Sequence, residues 1–365
     1  MPPILFLADA RHHNVARRLL AICALLAAGA AQAASPPATA CALAAAPPSD
    51  TALVDVPFDI VDGRIYVAAR VDDAGPFRFA VDTGASGIAR ADTRLVRALD
   101  LPRNGVAANS DGVHVAQADT TRLRTLALGE LRHDDVDVLA RDYNAQQSSD
   151  AAFDGILARG FFADGLLEID YPKQRLRFRR DAGLSASQPD TLGYTRAFRI
   201  PVHIGTVETQ AQLDTGANVA FVLPAALYAQ VSDAPVADAP LTLTQGKVDG
   251  GRARVDVPFR IGGLTLPSLE VRVSSRYPEA VVGAHALRDA VVLIDQRSRR
   301  VAICPAQRGE EVIRPPCWAE TPTILEDAQQ GGRADPNAQS SPLRCLTKAS
   351  AKCIRQVGTQ SDQPR

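Results

Sequence analysis

Short runs of alternating and continuous apolar residues, separated by turn residues, dominate the middle of the chain. The segments "RIYVAARV" (64–71), "FRFAVD" (77–82) and "RLRTLALG" (122–129) have this character, and turn sequences such as "VDG" and "DDAGP" separate such runs. Closely spaced strands of this kind are typical of sandwiches and barrels. One segment, "ADTRLVRALDL" (91–101), has helical spacing, and Asp92 can cap it. The pattern therefore predicts an all-β fold with short helices.

The chain also carries an internal repeat. Three blocks recur in the same order, at offsets of 132, 133 and 125 residues. The matched blocks are Asp82 with Asp214, "LGELRHDDVDV" (128–138) with "IGGLTLPSLEV" (261–271), and residues 154–178 with residues 279–303. The smaller last offset places a longer loop in the first half, near "ARDYNAQQSSD" (140–150). The repeat predicts two homologous β lobes, at 51–182 and 191–304, joined by a linker at 183–190.

The two ends of the chain differ from these lobes. Three arginines precede the apolar run 19–31, and "AQA" (31–33) follows as a cleavage pattern, so residues 1–33 are predicted to be a signal peptide. An uncleaved N-terminal anchor is the alternative. Residues 34–50 are predicted to be a flexible leader, and residues 305–365 a mostly irregular, cysteine-containing tail. We therefore expect an exported protein, periplasmic or secreted.

Five cysteines lie outside the signal segment: Cys41, Cys304, Cys317, Cys345 and Cys353. Export allows disulfides, and four of the five lie at or after Cys304, so bridges are expected to pin the tail rather than the core. Their connectivity cannot be derived from spacing. "ATAC" (38–41) also faintly resembles a lipoprotein box, which makes a lipid anchor at Cys41 a second possibility for localisation.

Composition and charge narrow the possible partners. The chain has 365 residues, is 46% hydrophobic, and has 40 basic against 41 acidic residues, a net charge of −1. A net charge this close to zero gives no indication that the chain binds nucleic acid or an anionic membrane. No segment after the signal run approaches the length of a membrane span, so no span is predicted in the mature chain. The histidines share no metal-ligand spacing, so neither a metal nor a cofactor is predicted.

The strongest chemical signal is a doubled turn. "FAVDTGAS" (79–86) and "AQLDTGAN" (211–218) each place Asp-Thr-Gly-Ala after an apolar lead, at matched positions of the repeat. A two-fold arrangement of the lobes would bring Asp82 and Asp214 face to face. Two carboxylates so close share one proton, so one can take a proton from water while the other donates to a carbonyl oxygen. This is general acid–base chemistry for hydrolysis.

The chain resembles bacterial, single-chain aspartic proteases of the retropepsin-like type over roughly residues 55–304. The resemblance rests on "VDTGAS", "LDTGAN" and the later "VVGAHAL" (281–287). It implies two retropepsin/pepsin-like β-barrel lobes related by a pseudo-two-fold axis, acting as a monomer on a peptide or protein substrate. It implies a catalytic pair and supporting loop residues, namely Asp82, Asp214, Thr83, Gly84, Thr215 and Gly216. Ala after each Gly favours the retropepsin branch and predicts activity reaching mildly acidic or neutral pH.

Several positions are less well defined. Ala158 stands where the family has Gly, which predicts crowding beneath the first catalytic loop. Gly112 in "NSDGVHV" and Gly246 in "TQGKVDGG" mark two candidate flaps over the cleft. Ser86 and Asn218 are expected either to hold a substrate backbone or to cap their turns.

The preferred interpretation is an aspartic endopeptidase. The alternative is a catalytically inactive two-lobed β module that binds peptide or cell-envelope components. A third interpretation is a structural envelope protein, in which the paired Asp turns only stabilise the contact between lobes.

Overall fold

The structure is a computed structural model that describes residues 39–45, 50–196 and 198–306. The predicted signal peptide, most of the predicted tail, and Cys317, Cys345 and Cys353 lie outside the described residues. In the described part of the chain, none of the helices has the length and apolarity needed to cross a membrane.

The described residues are mostly β, as the apolar pattern predicts. In the first half the strands are β1 (Val54–Pro57), β2 (Asp59–Val61), β3 (Arg64–Val71), β4 (Ala74–Asp82), β5 (Ala89–Asp92), β6 (Gly105–Ser110), β7 (Val115–Leu128), β8 (Leu131–Arg141), β9 (Gly155–Ala158), β10 (Leu166–Asp170) and β11 (Arg175–Arg179). In the second half they are β12 (Leu192–Gly193), β13 (Arg199–Ile204), β14 (Val207–Asp214), β15 (Phe221–Pro224), β16 (Ala237–Asp238), β17 (Leu241–Leu243), β18 (Gly246–Val248), β19 (Gly251–Val255), β20 (Phe259–Ile261), β21 (Leu264–Leu266), β22 (Leu269–Ser274), β23 (Ala280–Gly283), β24 (Ala290–Asp295) and β25 (Arg300–Pro305).

The helices are short. They are Ala40–Ala45, Thr93–Ala98, Ala225–Val231 and Ala284–Leu287, with 3-10 turns at Ser149–Ala151 and Arg159–Phe162. The predicted helix is confirmed at Thr93–Ala98, where the Asp92 carboxylate accepts the Arg94 N–H at 2.8 Å and Leu95 faces the core. Asp92 satisfies one of the free N–H groups at the helix start, as N-terminal caps do.

The sheets of the two halves contain the same arrangement of six strands. The first-half sheet has the order β2-β3-β4-β9-β5-β8-β7-β6, and β3 also pairs with β7, so the sheet folds back on itself. The second-half sheet has the order β16-β19-β22-β15-β23-β14-β13-β20-β21. In both, the strand that ends in Asp runs parallel to a later strand, which in turn pairs antiparallel with the strand after the Asp loop.

A third sheet joins the halves. Its order is β1-β11-β10-β24-β25-β12, and β10 pairs antiparallel with β24 from Leu166 opposite Asp295 to Asp170 opposite Val291. These two strands are buried along their whole length. The largest buried apolar cluster also runs through both halves. The halves therefore share a core and a sheet, which fixes the position of one Asp loop relative to the other.

The structure corrects the prediction of a flexible leader for residues 40–45. The helix Ala40–Ala45 buries Ala40 and Ala44 against β24 and β25 of the shared sheet. The Asp190 carboxylate accepts the backbone N–H groups of Ala40 and Cys41 at 2.7 and 2.8 Å. An alanine-rich segment has high helix propensity, and here packing and a cap stabilise it.

Cys41 forms a disulfide with Cys304. Cys304 is buried in the last strand of the shared sheet. The expectation that bridges would pin the tail is therefore wrong for this pair, which attaches the leader to the core. Spacing along the sequence could not reveal this, because the two cysteines are 263 residues apart.

Candidate active site

The two Asp-Thr-Gly loops begin at equivalent places. Asp82 is the last residue of β4 and lies opposite Ala158 of the parallel strand β9. Asp214 is the last residue of β14 and lies opposite Gly283 of the parallel strand β23. Each carboxyl group therefore lies at the end of a strand, where the backbone turns out of the sheet.

The two threonines lock the loops together. The Thr83 N–H donates to Thr215 Oγ1 at 3.1 Å, and the Thr215 N–H donates to Thr83 Oγ1 at 3.0 Å. Each hydroxyl also donates across the halves, from Thr83 to the Leu213 carbonyl at 3.0 Å and from Thr215 to the Val81 carbonyl at 2.8 Å. Both threonines are buried. This reciprocal set of hydrogen bonds holds each Asp at a fixed distance from the other half.

Each glycine makes room for the carboxyl group of the opposite loop. A Cβ atom on Gly84 would lie 2.5 Å from Asp214 Cγ, and one on Gly216 would lie 2.5 Å from Asp82 Cγ. Real Cβ atoms do not approach so closely, so no side chain fits at either position. The glycines are therefore necessary for the carboxyl groups to meet.

The N–H donors to the carboxylates differ between the loops. The Gly216 N–H donates to Asp214 Oδ1 at 2.9 Å, as the resemblance implies. In the first loop it is the Ala85 N–H that donates to Asp82 Oδ1, also at 2.9 Å.

Asp82 and Asp214 lie together where the two loops meet. Gly84 fits closely against Asp214 Cγ and Gly216 against Asp82 Cγ, and a part of each Asp residue stays open to solvent. Burial raises the pKa of Asp214 to about 8, with a further contribution from the negative charge of Asp82. The Gly216 N–H and the positive charge of Arg64 oppose this rise. Near neutral pH the pair can therefore hold one proton between two carboxyl groups.

The segment after each parallel strand supports the loop above it with three backbone hydrogen bonds. In the first half, Ala158, Arg159 and Gly160 donate to the carbonyls of Ile88, Ala85 and Gly87 at 3.0, 3.2 and 2.8 Å. In the second half, Gly283, Ala284 and His285 donate to the carbonyls of Ala220, Ala217 and Val219 at 2.9, 2.8 and 3.1 Å. Both Asp loops thus rest on the same kind of support.

Ala158 does not break this pattern. It is fully buried, and its methyl group packs in a small apolar cluster with Ala85 and other residues. In the second half a Cβ on Gly283 would lie 2.2 Å from the Val219 carbonyl oxygen. Gly87 stands in the first loop where Val219 stands in the second, and its φ of +83° is a conformation that valine avoids. The first loop therefore takes a different path, which leaves space for the methyl group.

Ser86 and Asn218 both contact protein groups. The Ser86 hydroxyl accepts a hydrogen bond from Arg90 at 3.2 Å, and the Asn218 amide donates to Asp62 of the first half. Through these contacts both side chains hold their loops in place. Binding of a substrate backbone by Ser86 or Asn218 stays a prediction.

The two candidate flaps are hairpins whose tips touch. The first is β6–β7 with Gly112 at its tip, and the second is β17–β18 with Gly246 at the start of its second strand. The Gln245 N–H donates to Asp111 Oδ2 at 2.9 Å, and the Gln245 amide donates to the Asn109 carbonyl at 2.8 Å.

The first hairpin also reaches the second half through its side chains. Val113 packs against a cluster that includes Val222, Leu241, Val248 and Val281. Ala217 of the second catalytic loop packs against the same cluster. The tip of the first hairpin therefore lies beside the Asp214 loop.

Arginines near the pair were not predicted from the sequence. Arg64 Nε donates to the Gly216 carbonyl at 2.7 Å, and Arg159 donates to the Gly84 carbonyl at 3.2 Å. Arg90, which is buried, links Ser86 to Asn109 of the first hairpin. With many arginines in the chain, no sequence signal separates these three from those on the surface.

A comparison with known families agrees with this geometry in the first half. Residues 67–161 match the family described as aspartyl protease. This range contains the first Asp-Thr-Gly loop and the strand that supports it. No curated protein gives a significant match to the chain. The first half is thus similar to aspartyl proteases, and the chemistry of the paired site has to be argued from its geometry.

Proposed function

We propose that the chain is an aspartic endopeptidase whose single site is formed by Asp82 and Asp214. The observation that carries the proposal is the reciprocal hydrogen bonding of Thr83 and Thr215, which holds one carboxyl group from each half against the other. A pair of surface turns that merely stabilised the contact between halves would not need to bring two carboxyl groups together, because burial and the charge of Asp82 raise the pKa of Asp214 and disfavour its ionised form.

The roles of the two acids follow from their environment. Asp214 is the proton donor near neutral pH, since burial and the charge of Asp82 raise its pKa. Asp82 takes a proton from a water whose oxygen attacks the substrate carbonyl carbon, while Asp214 donates its proton to the carbonyl oxygen. The tetrahedral product then collapses: Asp82 gives its proton to the leaving nitrogen, the C–N bond breaks, and Asp214 recovers its own proton.

The two hairpins would close over the bound peptide. Their tips already meet through Asp111 and Gln245, and Val113 lies beside the second catalytic loop. We propose that the hairpins separate to admit an extended peptide and then exclude water from the reacting bond.

The matched strand order of the two sheets supports duplication of one lobe, with the pair of Asp loops at a pseudo-two-fold axis. A chain that contains both half-sites needs no second copy, so we propose that it acts as a monomer.

Export is the proposed localisation. The arginine-led apolar segment followed by "AQA" supports it, as does the disulfide between Cys41 and Cys304, because such bonds persist in oxidising compartments. The same disulfide argues against a lipid anchor at Cys41, since its sulfur is already bonded.

A peptide-library digest of the protein lacking residues 1–33 tests the proposed activity. We expect cleavage inside peptides at mildly acidic to neutral pH, with inhibition complete at one molecule of a statine-type inhibitor per chain. Absence of cleavage between about pH 3 and 8 in a folded sample would favour the binding module. The residue that motivated that alternative, Ala158, is accommodated without loss of the support beneath Asp82.

A further inference from the structure

Arg64 connects the first half to the catalytic loop of the second. It is the first residue of β3 and follows a tight turn in which Asp62 and Gly63 have positive φ. From there its Nε donates to the Gly216 carbonyl at 2.7 Å, across 152 residues of sequence. Gly216 is therefore held through both of its backbone polar groups, because its N–H donates to Asp214 Oδ1 at 2.9 Å.

The longer loop of the first half holds Arg64 in place. Gln147 lies in this loop, and its side-chain oxygen accepts a hydrogen bond from Arg64 Nη1 at 2.9 Å. The Gln147 N–H is itself bonded to the Asn144 carbonyl at 2.9 Å. The longer loop of the first half, which has no match in the second half of the repeat, thus supplies Gln147, the residue that orients the Arg64 guanidinium.

The second half lacks an equivalent group. Strand pairing aligns Val67 with Ile200, because their partners Phe79 and Ala211 occupy matched places before the two Asp loops. Counting back along the sequence, Ala197 corresponds to Arg64 in the repeat; it lies outside the described residues, and alanine has no side-chain donor. The two loops are therefore braced differently: the Gly84 carbonyl accepts from Arg159 of its own half, whereas the Gly216 carbonyl accepts from Arg64 of the opposite half.

Arg64 is also one of the few charges near the carboxyl pair. Other ionisable groups near the pair are Tyr143, Tyr171, Tyr277, Arg90 and Arg159. Burial raises the pKa of Tyr277 to about 12 and also raises the pKa of Tyr143 and Tyr171, so these phenols stay neutral. Arg64, Arg90 and Arg159 remain as the positive charges of this set, and Arg64 opposes the rise in the pKa of Asp214.

We propose that Arg64 is a positioning residue that holds the Asp214 loop and favours the ionised forms of the carboxyl pair, and so lowers the upper pH limit of the shared proton. The proposal rests on the proposed function only in treating this pair as the reacting groups. Without the positive charge of Arg64, the form in which both carboxyl groups are ionised is less favourable. The pair therefore loses its shared proton at a higher pH.

Titration of the carboxyl carbons by NMR, in protein with labelled aspartate, tests this without substrate. The spectrum of Asp214→Asn assigns the signals. We expect Arg64→Met to raise the upper titration step of the pair by about half a unit or more, and Arg64→Lys to restore most of the difference. Arg70→Met is the matched control, because Arg70 lies on the same strand and its guanidinium donates to the Asp73 carbonyl in a nearby turn.

An upper step in folded Arg64→Met equal to that of the unchanged protein would overturn the proposal. If that variant does not fold, Gln147→Ala replaces it, with a smaller shift expected in the same direction and no shift counting against the proposal. The peptide-cleavage assay is run separately. A missing activity would contradict the proposed function, while the titration would still decide the role of Arg64.

Discussion

Gly283 and Ala158 occupy the same place in the two halves, yet only one of them can carry a methyl group. Both have extended backbone, with φ of −99° and −87°. The difference lies in the loop above, where Val219 brings its carbonyl oxygen onto Gly283 and Gly87 turns the chain away from Ala158. Ala158, which stands where the motif has Gly, is therefore accommodated by Gly87, which lies 71 positions earlier in the chain.

The first prediction concerns these two residues. Gly283→Ala is expected to destabilise the protein by about 1–3 kcal/mol, because its Cβ would overlap backbone oxygens of the catalytic loop. Ala158→Gly, the matched variant in the first half, should cost no more than about 1 kcal/mol. Urea unfolding of both variants checks this, and equal losses would show that the two loops are not shaped as described.

The second prediction concerns pH. The pKa of Asp214 is raised, to about 8, so Asp214 keeps its proton at neutral pH and loses it as the pH rises through that value. Because Asp214 must donate this proton, kcat/KM is expected to fall by half near pH 8 and to be well retained at pH 6. A pH profile on one peptide measures this, and activity confined below about pH 3 would contradict it.

At the scale of elements, the two candidate flap hairpins contact each other through Asp111, Asn109 and Gln245. Asp111 is central to this contact. Burial raises its pKa, but N–H donors from His114, Val113 and Gln245 outweigh that effect, so the pKa of Asp111 is lowered. The contact is therefore stable above the ordinary pKa of a carboxyl group and weakens only as the pH falls through the lowered value.

The third prediction tests this closure. Gln245→Ala removes the hydrogen bond to the Asn109 carbonyl, worth about 1 kcal/mol, and should speed amide hydrogen exchange in residues 109–115 about five-fold. Gln230→Ala is the control, since it removes a similar bond within the helix Ala225–Val231. Exchange that stays at the rate of the unchanged protein would mean that the hairpin tips do not depend on each other.

The sequence predicts local features of the molecule far better than distant contacts. The strands near the first Asp, the helix capped by Asp92 and the paired Asp-Thr-Gly turns follow from patterns a few residues long. Arg64 on Gly216, Asp111 on Gln245, and Cys41 on Cys304 depend on how segments separated by 152, 134 and 263 residues come together. No short sequence pattern predicts these contacts, because nothing in the segment around either partner distinguishes that residue from others of its type.

At the scale of the whole molecule, the shared six-stranded sheet keeps the two half-sites in register. The helix Ala40–Ala45 and its disulfide are attached to this sheet rather than to the cleft. They bear on the stability of the folded body and not on the chemistry.

The fourth prediction follows from that attachment. Replacing Cys41 and Cys304 by Ala together is expected to lower the free energy of unfolding by about 2–4 kcal/mol, because the bond closes a loop of most of the described chain. Unfolding with and without reductant measures it. Reductant should bring the unchanged protein to the level of the double variant and leave the variant unaffected. Equal stability of all four samples would show that the bond contributes nothing.

The last prediction addresses the central claim, that Asp82 and Asp214 act together on a peptide bond. The measurement is kcat/KM for one cleavable peptide, with Asp82→Asn, Asp214→Asn and the control Asp137→Asn, an exposed acid paired with Arg122. We expect either substitution in the pair to lower kcat/KM by about 1,000-fold or more, with melting temperatures retained, and the control to stay within about two-fold. Cleavage within about ten-fold of the unchanged protein in Asp82→Asn or in Asp214→Asn would contradict the account.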